Sequence, residues 1–96
     1  MRYLQYDVFV GCYGRAKDDT IHWLTFDSEN GKLCQQRSFS GVDNPSFLSI
    51  YKEKNCLYAI SEVDDGEVVS FAIDQQNQHI YELNRQAAKG GRVLLK

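Results

Sequence analysis

The sequence has only one proline, no CxxC pair of cysteines and no apolar run near the ~20 residues that a membrane-spanning helix needs. The missing apolar run excludes a transmembrane helix. The first five residues contain one arginine and no apolar stretch, so we expect no signal peptide. These absences make the cytoplasm the expected location.

Cysteine is scarce, and its spacing excludes two kinds of site. Cys12, Cys34 and Cys56 are an odd number at wide separation, which argues against a zinc centre and against a dithiol redox motif. We expect them to be small buried hydrophobic residues within strands, in a reducing compartment. The alternative, a nucleophilic cysteine, has no histidine partner nearby in the sequence. We therefore predict no metal and no cofactor.

Charge of one sign is also lacking. The net charge is −2, so no strong field draws in nucleic acid or an anionic membrane, and neither is an expected partner. The 96 residues are the length of one small domain, and 43% hydrophobic with 25% charged residues is typical of a globular chain.

The residues that are present predict strands. Runs rich in Val, Ile, Phe and Tyr alternate with turn signals such as Asn30-Gly31 and Asp64-Asp65-Gly66. No window has a long apolar repeat at helical spacing, so no substantial helix is expected. Seven strands are predicted, at 6–13, 20–26, 33–39, 46–51, 56–63, 67–73 and 79–84.

Two of these strands are apolar on both faces, and the chain repeats itself. The segments 21–26 and 68–73 lack the alternation of a sheet with one wet face, which favours sheets stacked face to face. Ile21 to Gln36 aligns with Val68 to Leu83 at an offset of 47 residues, a spacing typical of β-propeller blades. We predict an all-β chain of antiparallel propeller blades: a partial first blade at 6–39, a complete second blade at 46–84, and a linker or tail at 85–96.

Short motifs follow one another in a fixed order along the chain. They are Phe9-Val10-Gly11-Cys12-Tyr13, Phe26-Asp27 through Gly31-Lys32-Leu33, Asn44-Pro45-Ser46-Phe47-Leu48, Leu57-Tyr58-Ala59-Ile60-Ser61-Glu62, Gly66 to Phe71, and Gly90-Gly91. By these motifs the chain, from about Asp7 to Gly91, resembles the N-terminal part of the lactonase seven-bladed β-propellers. That family includes propeller-type 6-phosphogluconolactonases and 3-carboxy-cis,cis-muconate lactonizing enzymes (muconate cyclases).

The resemblance implies an activity and also a shortfall. It links the chain to hydrolysis of a sugar lactone, 6-phosphogluconolactone, or to cyclisation of a muconate. Family members are several times longer, and their catalytic residues lie mostly in later blades. Here the chain ends Arg92-Val93-Leu94-Leu95-Lys96 after the two glycines. We expect about two of seven blades, incomplete as a catalyst alone. The alternative is a non-enzymatic remnant or interaction module.

Five residues are the candidates for contact with a lactone or carboxylate substrate. Glu62 is the candidate catalytic acid or base, because it ends a strand at a loop; its alternative is a rim carboxylate that binds a neighbouring loop. The candidate substrate-binding residues are Tyr13, Arg15, Asn44 and Ser46. Asn44 has the alternative of a turn initiator, and Tyr13 that of a packing residue. His22 and His79 are expected on the flanks of the blades.

The predicted blades raise a question of stability. Blades bury their faces against neighbouring blades, and repeats of this kind usually need about three units to be stable alone. Nearly two blades leave apolar faces exposed, so we expect the chain to form a homo-oligomer through those faces.

Overall fold

A computed structural model describes residues 5–62 and 66–87 of the chain. Within those residues the regular elements are seven strands and one short 3₁₀ turn at Lys52–Lys54, with no α-helix. The strands are β1 (Gln5–Gly11), β2 (Ile21–Asp27), β3 (Lys32–Phe39), β4 (Pro45–Tyr51), β5 (Cys56–Ser61), β6 (Glu67–Asp74) and β7 (His79–Ala87).

The strands form two antiparallel meanders. The first sheet has the order β1-β2-β3, and the second sheet has the order β4-β5-β6-β7. Successive strands are neighbours throughout, as short hairpin connections require. The predicted all-β architecture, with three strands followed by four, is confirmed.

Some strand ends differ from the prediction. β1 ends at Gly11, two residues early, while β7 continues to Ala87 because Ala87 pairs with Glu67. Residues 85–87, predicted as the start of a tail, therefore belong to the second sheet. Val63, the Asp64-Asp65 part of the hairpin, Gly90-Gly91 and the rest of the predicted tail lie outside the described residues.

The core lies between the two sheets. Along β5, every second residue is buried, and the same alternation continues in β2 and β6. Each large apolar side chain removed from water in this way contributes about 1.5–3 kcal/mol to stability. The predicted face-to-face stacking is thus confirmed. The buried core comprises Ile21, Trp23, Val42, Leu57, Ala59, Val69, Phe71 and Ile80.

The internal repeat is present in the backbone. The β2–β3 ladder shifts register between Trp23 and Leu24, and the β6–β7 ladder shifts between Ser70 and Phe71, 47 residues later. The hairpins after β2 and β6 each have a positive φ at the same repeat position, 73° at Gly31 and 51° at Gln78. Strands β1–β3 therefore correspond to β5–β7, and among the described residues β4 has no counterpart in the first sheet.

The expectation that the cysteines are buried is wrong. Cys12 and Cys34 are exposed and Cys56 is half-buried; all three are free thiols. Cys12 follows the end of β1, and Cys34 lies in β3, whose first six residues are all exposed. The error arose because strand membership predicts burial only when the facing sheet covers that strand.

Candidate functional site

Asn44 ties together the chain segments that follow β1 and β5. Its Oδ1 accepts a hydrogen bond from the Gly14 amide at 2.8 Å, and its own amide donates to the Gly14 carbonyl at 2.8 Å. Its carbonyl accepts from the Glu62 amide, also at 2.8 Å. The φ of Asn44 is 40°, in the left-handed region that asparagine tolerates better than most residues. Asn44 thus positions Gly14, which follows Tyr13 in the chain, and the backbone of Glu62.

The connection from β3 to β4 is held at several further points. The Asp43 side chain accepts from the Ala16 amide, and its carbonyl accepts from the Ser61 hydroxyl. The buried Thr20 hydroxyl donates to the Val42 carbonyl at 2.7 Å. A loop with this many partners is a rigid frame, because each bond restricts a different part of its backbone.

Tyr13 and Glu62 meet at the edge of that frame. The Tyr13 hydroxyl donates to Glu62 Oε2 at 3.4 Å, which is a long hydrogen bond. Tyr13 is 73% exposed, and Glu62 is also exposed. The two residues occupy equivalent positions of the repeat. Gly11 of β1 corresponds to Ile60 of β5; Tyr13 lies two residues beyond the first, and Glu62 lies two residues beyond the second. A carboxylate beside a phenol in open solvent can exchange protons with water and with a bound molecule.

Arg15 and Ser46 lie at the borders of this group. The Arg15 amide donates to Asp18 Oδ2 at 3.2 Å, and the Asp18 amide donates back to the Arg15 carbonyl, which closes a turn. Ser46 is exposed at the register shift between Pro45 and Phe47. Of the five predicted residues, hydrogen bonds join Tyr13, Asn44 and Glu62. Ser46 and Arg15 are each two positions along the chain from one of these three.

Gly11 allows β1 and β4 to approach each other at this end. A Cβ atom at Gly11 would lie 2.3 Å from the Pro45 carbonyl oxygen, closer than any real side chain permits. A glycine within a strand is a known sign of close backbone approach, so the sequence carried this signal. The framing role of Asp43 had no comparable signal, because it depends on a loop conformation.

Arg85 anchors the start of the β3–β4 connection from the second sheet. Its Nη2 donates to the Gly41 carbonyl at 2.6 Å, and its guanidinium pairs with Glu82 at 2.9 Å and Glu67 at 3.0 Å. The hydrogen bond from Arg85 lowers the pKa of Glu82, and the same bond raises the pKa of Arg85. Glu82 therefore keeps its charge, and its part in this anchor, to lower pH than an isolated glutamate does.

Among the residues that the structure describes, two clefts between the sheets stand apart from the candidate residues. The larger, of about 340 Å³, includes Asp19, Ser38 and His79 in its lining, and the other, of about 240 Å³, includes Asp7 and Lys52. None of the five candidate residues lines either cleft.

Within residues 5–62 and 66–87, no cluster of three or more His, Cys, Asp or Glu side chains is placed to hold a metal ion. The same residues include no helix of the length and apolarity needed to cross a membrane.

Stacked antiparallel meanders related by a 47-residue repeat define the class of this protein as a β-propeller built from blades. The sequence model of the family described as "Lactonase, 7-bladed beta-propeller" matches residues 7–95. The chain belongs to that family, and the resemblance seen in the motifs is confirmed.

Individual relatives agree with this assignment. The chain is 26% identical over 87 residues to the 6-phosphogluconolactonase of Bacillus subtilis (strain 168), a match that covers 90% of this chain and 25% of the relative. A solved protein of Bacteroides fragilis NCTC 9343, described as a "putative 6-phosphogluconolactonase", has a TM-score of 0.74 at 26% identity, and the match covers 88% of this chain and 25% of that chain.

A solved protein of Lactobacillus plantarum gives a TM-score of 0.72 at 27% identity, with 91% of this chain and 25% of that chain covered. The chain thus spans about a quarter of the length of the relatives that it matches.

Proposed function

We propose that Tyr13, Asn44 and Glu62 form part of a lactone-binding site, and that the reaction is hydrolysis of a sugar lactone such as 6-phosphogluconolactone. The observation that carries the proposal is the Tyr13–Glu62 hydrogen bond, held on the rigid frame around Asn44. Membership of the lactonase family and similarity to the Bacillus subtilis 6-phosphogluconolactonase support it.

In the proposed mechanism, Glu62 is the general base. Its carboxylate takes a proton from a water molecule as the water oxygen attacks the lactone carbonyl. The tetrahedral oxyanion collapses, the ring C–O bond breaks, and the proton passes to the departing alkoxide to give the open hydroxy acid. The Tyr13 hydroxyl, which already bonds the carboxylate, orients Glu62 towards the substrate.

Two further candidates have binding roles. Arg15, in its exposed turn, would pair with the phosphate of a phosphorylated sugar, and the Ser46 hydroxyl would bond a substrate oxygen. Because the chain spans about a quarter of its relatives, we propose that it is a weak catalyst alone.

Cyclisation of a muconate is the alternative reaction for the same residues. There Glu62, protonated, would act as the proton donor, and Arg15 would bind a carboxylate.

The three free thiols support a reducing compartment, and so the cytoplasm, as the location for either reaction.

Hydrolysis of 6-phosphogluconolactone, measured at high protein concentration, tests the proposal. We expect a rate above the spontaneous one that disappears in Glu62→Gln and falls in Tyr13→Phe. The matched control is Glu53→Gln, an exposed glutamate in the Lys52–Lys54 turn, which should keep the wild-type rate. A rate equal to the spontaneous one in the wild-type protein would overturn the proposal.

A non-enzymatic scaffold is the second candidate function. The observation that favours it is the exposure of Tyr13 and Glu62, with neither inter-sheet cleft lined by them. Failure of the hydrolysis assay, together with normal folding by circular dichroism, would favour this function.

A further inference from the structure

The second sheet has an apolar face that no described part of the chain covers. On β5 and β6 the buried residues alternate with residues that point away from the core, and pairing extends this set across the sheet. Phe47 is 53% exposed and Tyr81 is 52% exposed. We define the outer face of the second sheet, by strand pairing, as Phe47, Ser49, Tyr51, Cys56, Tyr58, Ile60, Val68, Ser70, Ala72, Tyr81, Asn84 and Gln86.

The first sheet has a similar uncovered face. Pairing places Tyr6 opposite Phe26, and Val10 opposite His22, on the side away from the core. Tyr6 is 49% exposed and Val10 is 40% exposed. The outer face of the first sheet consists of Tyr6, Val8, Val10, His22, Leu24, Phe26, Leu33, Gln35 and Ser38.

The repeat relates these two outer faces to the contact that already exists inside the chain. Ile21 is a residue of the first sheet buried in the shared core, and it corresponds to Val68 on the outer face of the second sheet. Phe71 is a residue of the second sheet buried in the same core, and it corresponds to Leu24 on the outer face of the first sheet. Each outer face is therefore the repeat counterpart of one half of the internal sheet-to-sheet interface.

Charge does not oppose a contact between the outer faces. Neither set contains an Asp, Glu, Lys or Arg residue. Exposed apolar patches of this kind on a folded chain mark surfaces that bind a partner.

We propose that the partner is a second copy of this chain, stacked head to tail. The outer face of the second sheet of one copy packs on the outer face of the first sheet of the next, and so repeats the internal interface. Because the two contacting surfaces differ, the contact is heterologous, and a free face remains at each end of a dimer.

Sedimentation velocity of two variants, alone and mixed, tests both the partner and the polarity. Phe47→Glu places a charge on the outer face of the second sheet, and Val10→Glu places one on the outer face of the first. A buried unpaired charge is costly, so each variant alone should associate at least about 100-fold more weakly than the wild type. Their mixture should form a one-to-one dimer that grows no further, because each supplies the intact face that the other lacks.

The controls keep the result interpretable. Gln76→Glu adds the same charge in the exposed β6–β7 turn and should associate like the wild type. If Phe47→Glu loses its β signal by circular dichroism, Tyr81→Glu on the same face replaces it. A folded wild-type chain that stays monomeric across micromolar concentrations would overturn the proposal. So would association of Val10→Glu alone, which would mean that two second-sheet faces bind each other.

Discussion

Asn44 is the residue on which the candidate site depends most. Its side chain and both of its backbone polar groups hold the segments carrying Tyr13 and Glu62. The sequence predicted Asn44 either as a polar group for a ligand or as a turn initiator. Three hydrogen bonds give it a framing role, which resembles the second of these, while contact with a ligand stays a prediction.

Replacing Asn44 should show that role. Asn44→Ala removes the acceptor for the Gly14 amide and places alanine, which tolerates the left-handed region less well than asparagine, at φ 40°. The free energy of unfolding should therefore fall by about 1–3 kcal/mol. Asn44→Asp keeps an acceptor and should stay within about 1 kcal/mol of the wild type. Urea unfolding followed by circular dichroism measures both. An Asn44→Ala protein as stable as the wild type would contradict the framing role.

Residue burial was the least predictable property at this scale. Cys12 and Cys34 have side chains that suit a core, yet both are exposed. Their environment depends on which sheet face is covered and on where β1 ends, and neither is encoded by the residue type. Gly11, by contrast, carried a signal that no sequence prediction used, since a glycine in a strand can mark a close approach, here to Pro45.

At the scale of elements, the hairpins after β2 and β6 are two versions of one structure. Each hairpin contains a residue with a left-handed backbone conformation at the same position of the 47-residue repeat. This residue is Gly31 in the first hairpin and Gln78 in the second. The existence of the strands followed from residue type and turn signals. The register shifts beside Trp23 and Ser70 did not, because a bulge depends on ladder pairing that no local pattern specifies.

The hairpin comparison predicts a stabilising substitution. A left-handed conformation costs glutamine more than glycine, so Gln78→Gly should raise the free energy of unfolding by about 0.5–1 kcal/mol. The mirror change Gly31→Gln should lower it by a similar amount, since φ there is 73°. Thermal unfolding of both variants measures the effects. Shifts of the same sign would show that the two hairpins are not equivalent.

For the whole molecule, the central feature is a two-sheet stack that buries one face of each sheet and leaves the other open. The sequence predicted the stacking, because residues 21–26 and 68–73 lack a polar face. The sequence could not predict which face of each strand is buried, since the alternating residues on both faces are apolar enough for a core. The family accounts for the ambiguity: it is built from seven blades, and the chain spans about a quarter of its relatives.

The candidate site could be predicted from the sequence less completely than the fold. Tyr13, Asn44 and Glu62 are neighbours because the strands of the two sheets bring their ends together at the Asn44 frame. Arg15 and Ser46 are exposed at its borders. The motifs located this region, but residues at one end of two sheets do not reveal what else surrounds a substrate.

Fluorescence of Trp23 is the most direct test of the stack, because it is the only tryptophan in the chain and lies between the sheets. It is 1% exposed, its indole nitrogen donates to Asp7 Oδ1 at 3.0 Å, and its ring centroid is 4.8 Å from that of Phe9. We predict blue-shifted emission, strong protection from iodide quenching, and loss of both together with the far-ultraviolet β signal on unfolding. Quenching as strong as that of free tryptophan, in a chain that keeps its β signal, would contradict the stacked structure.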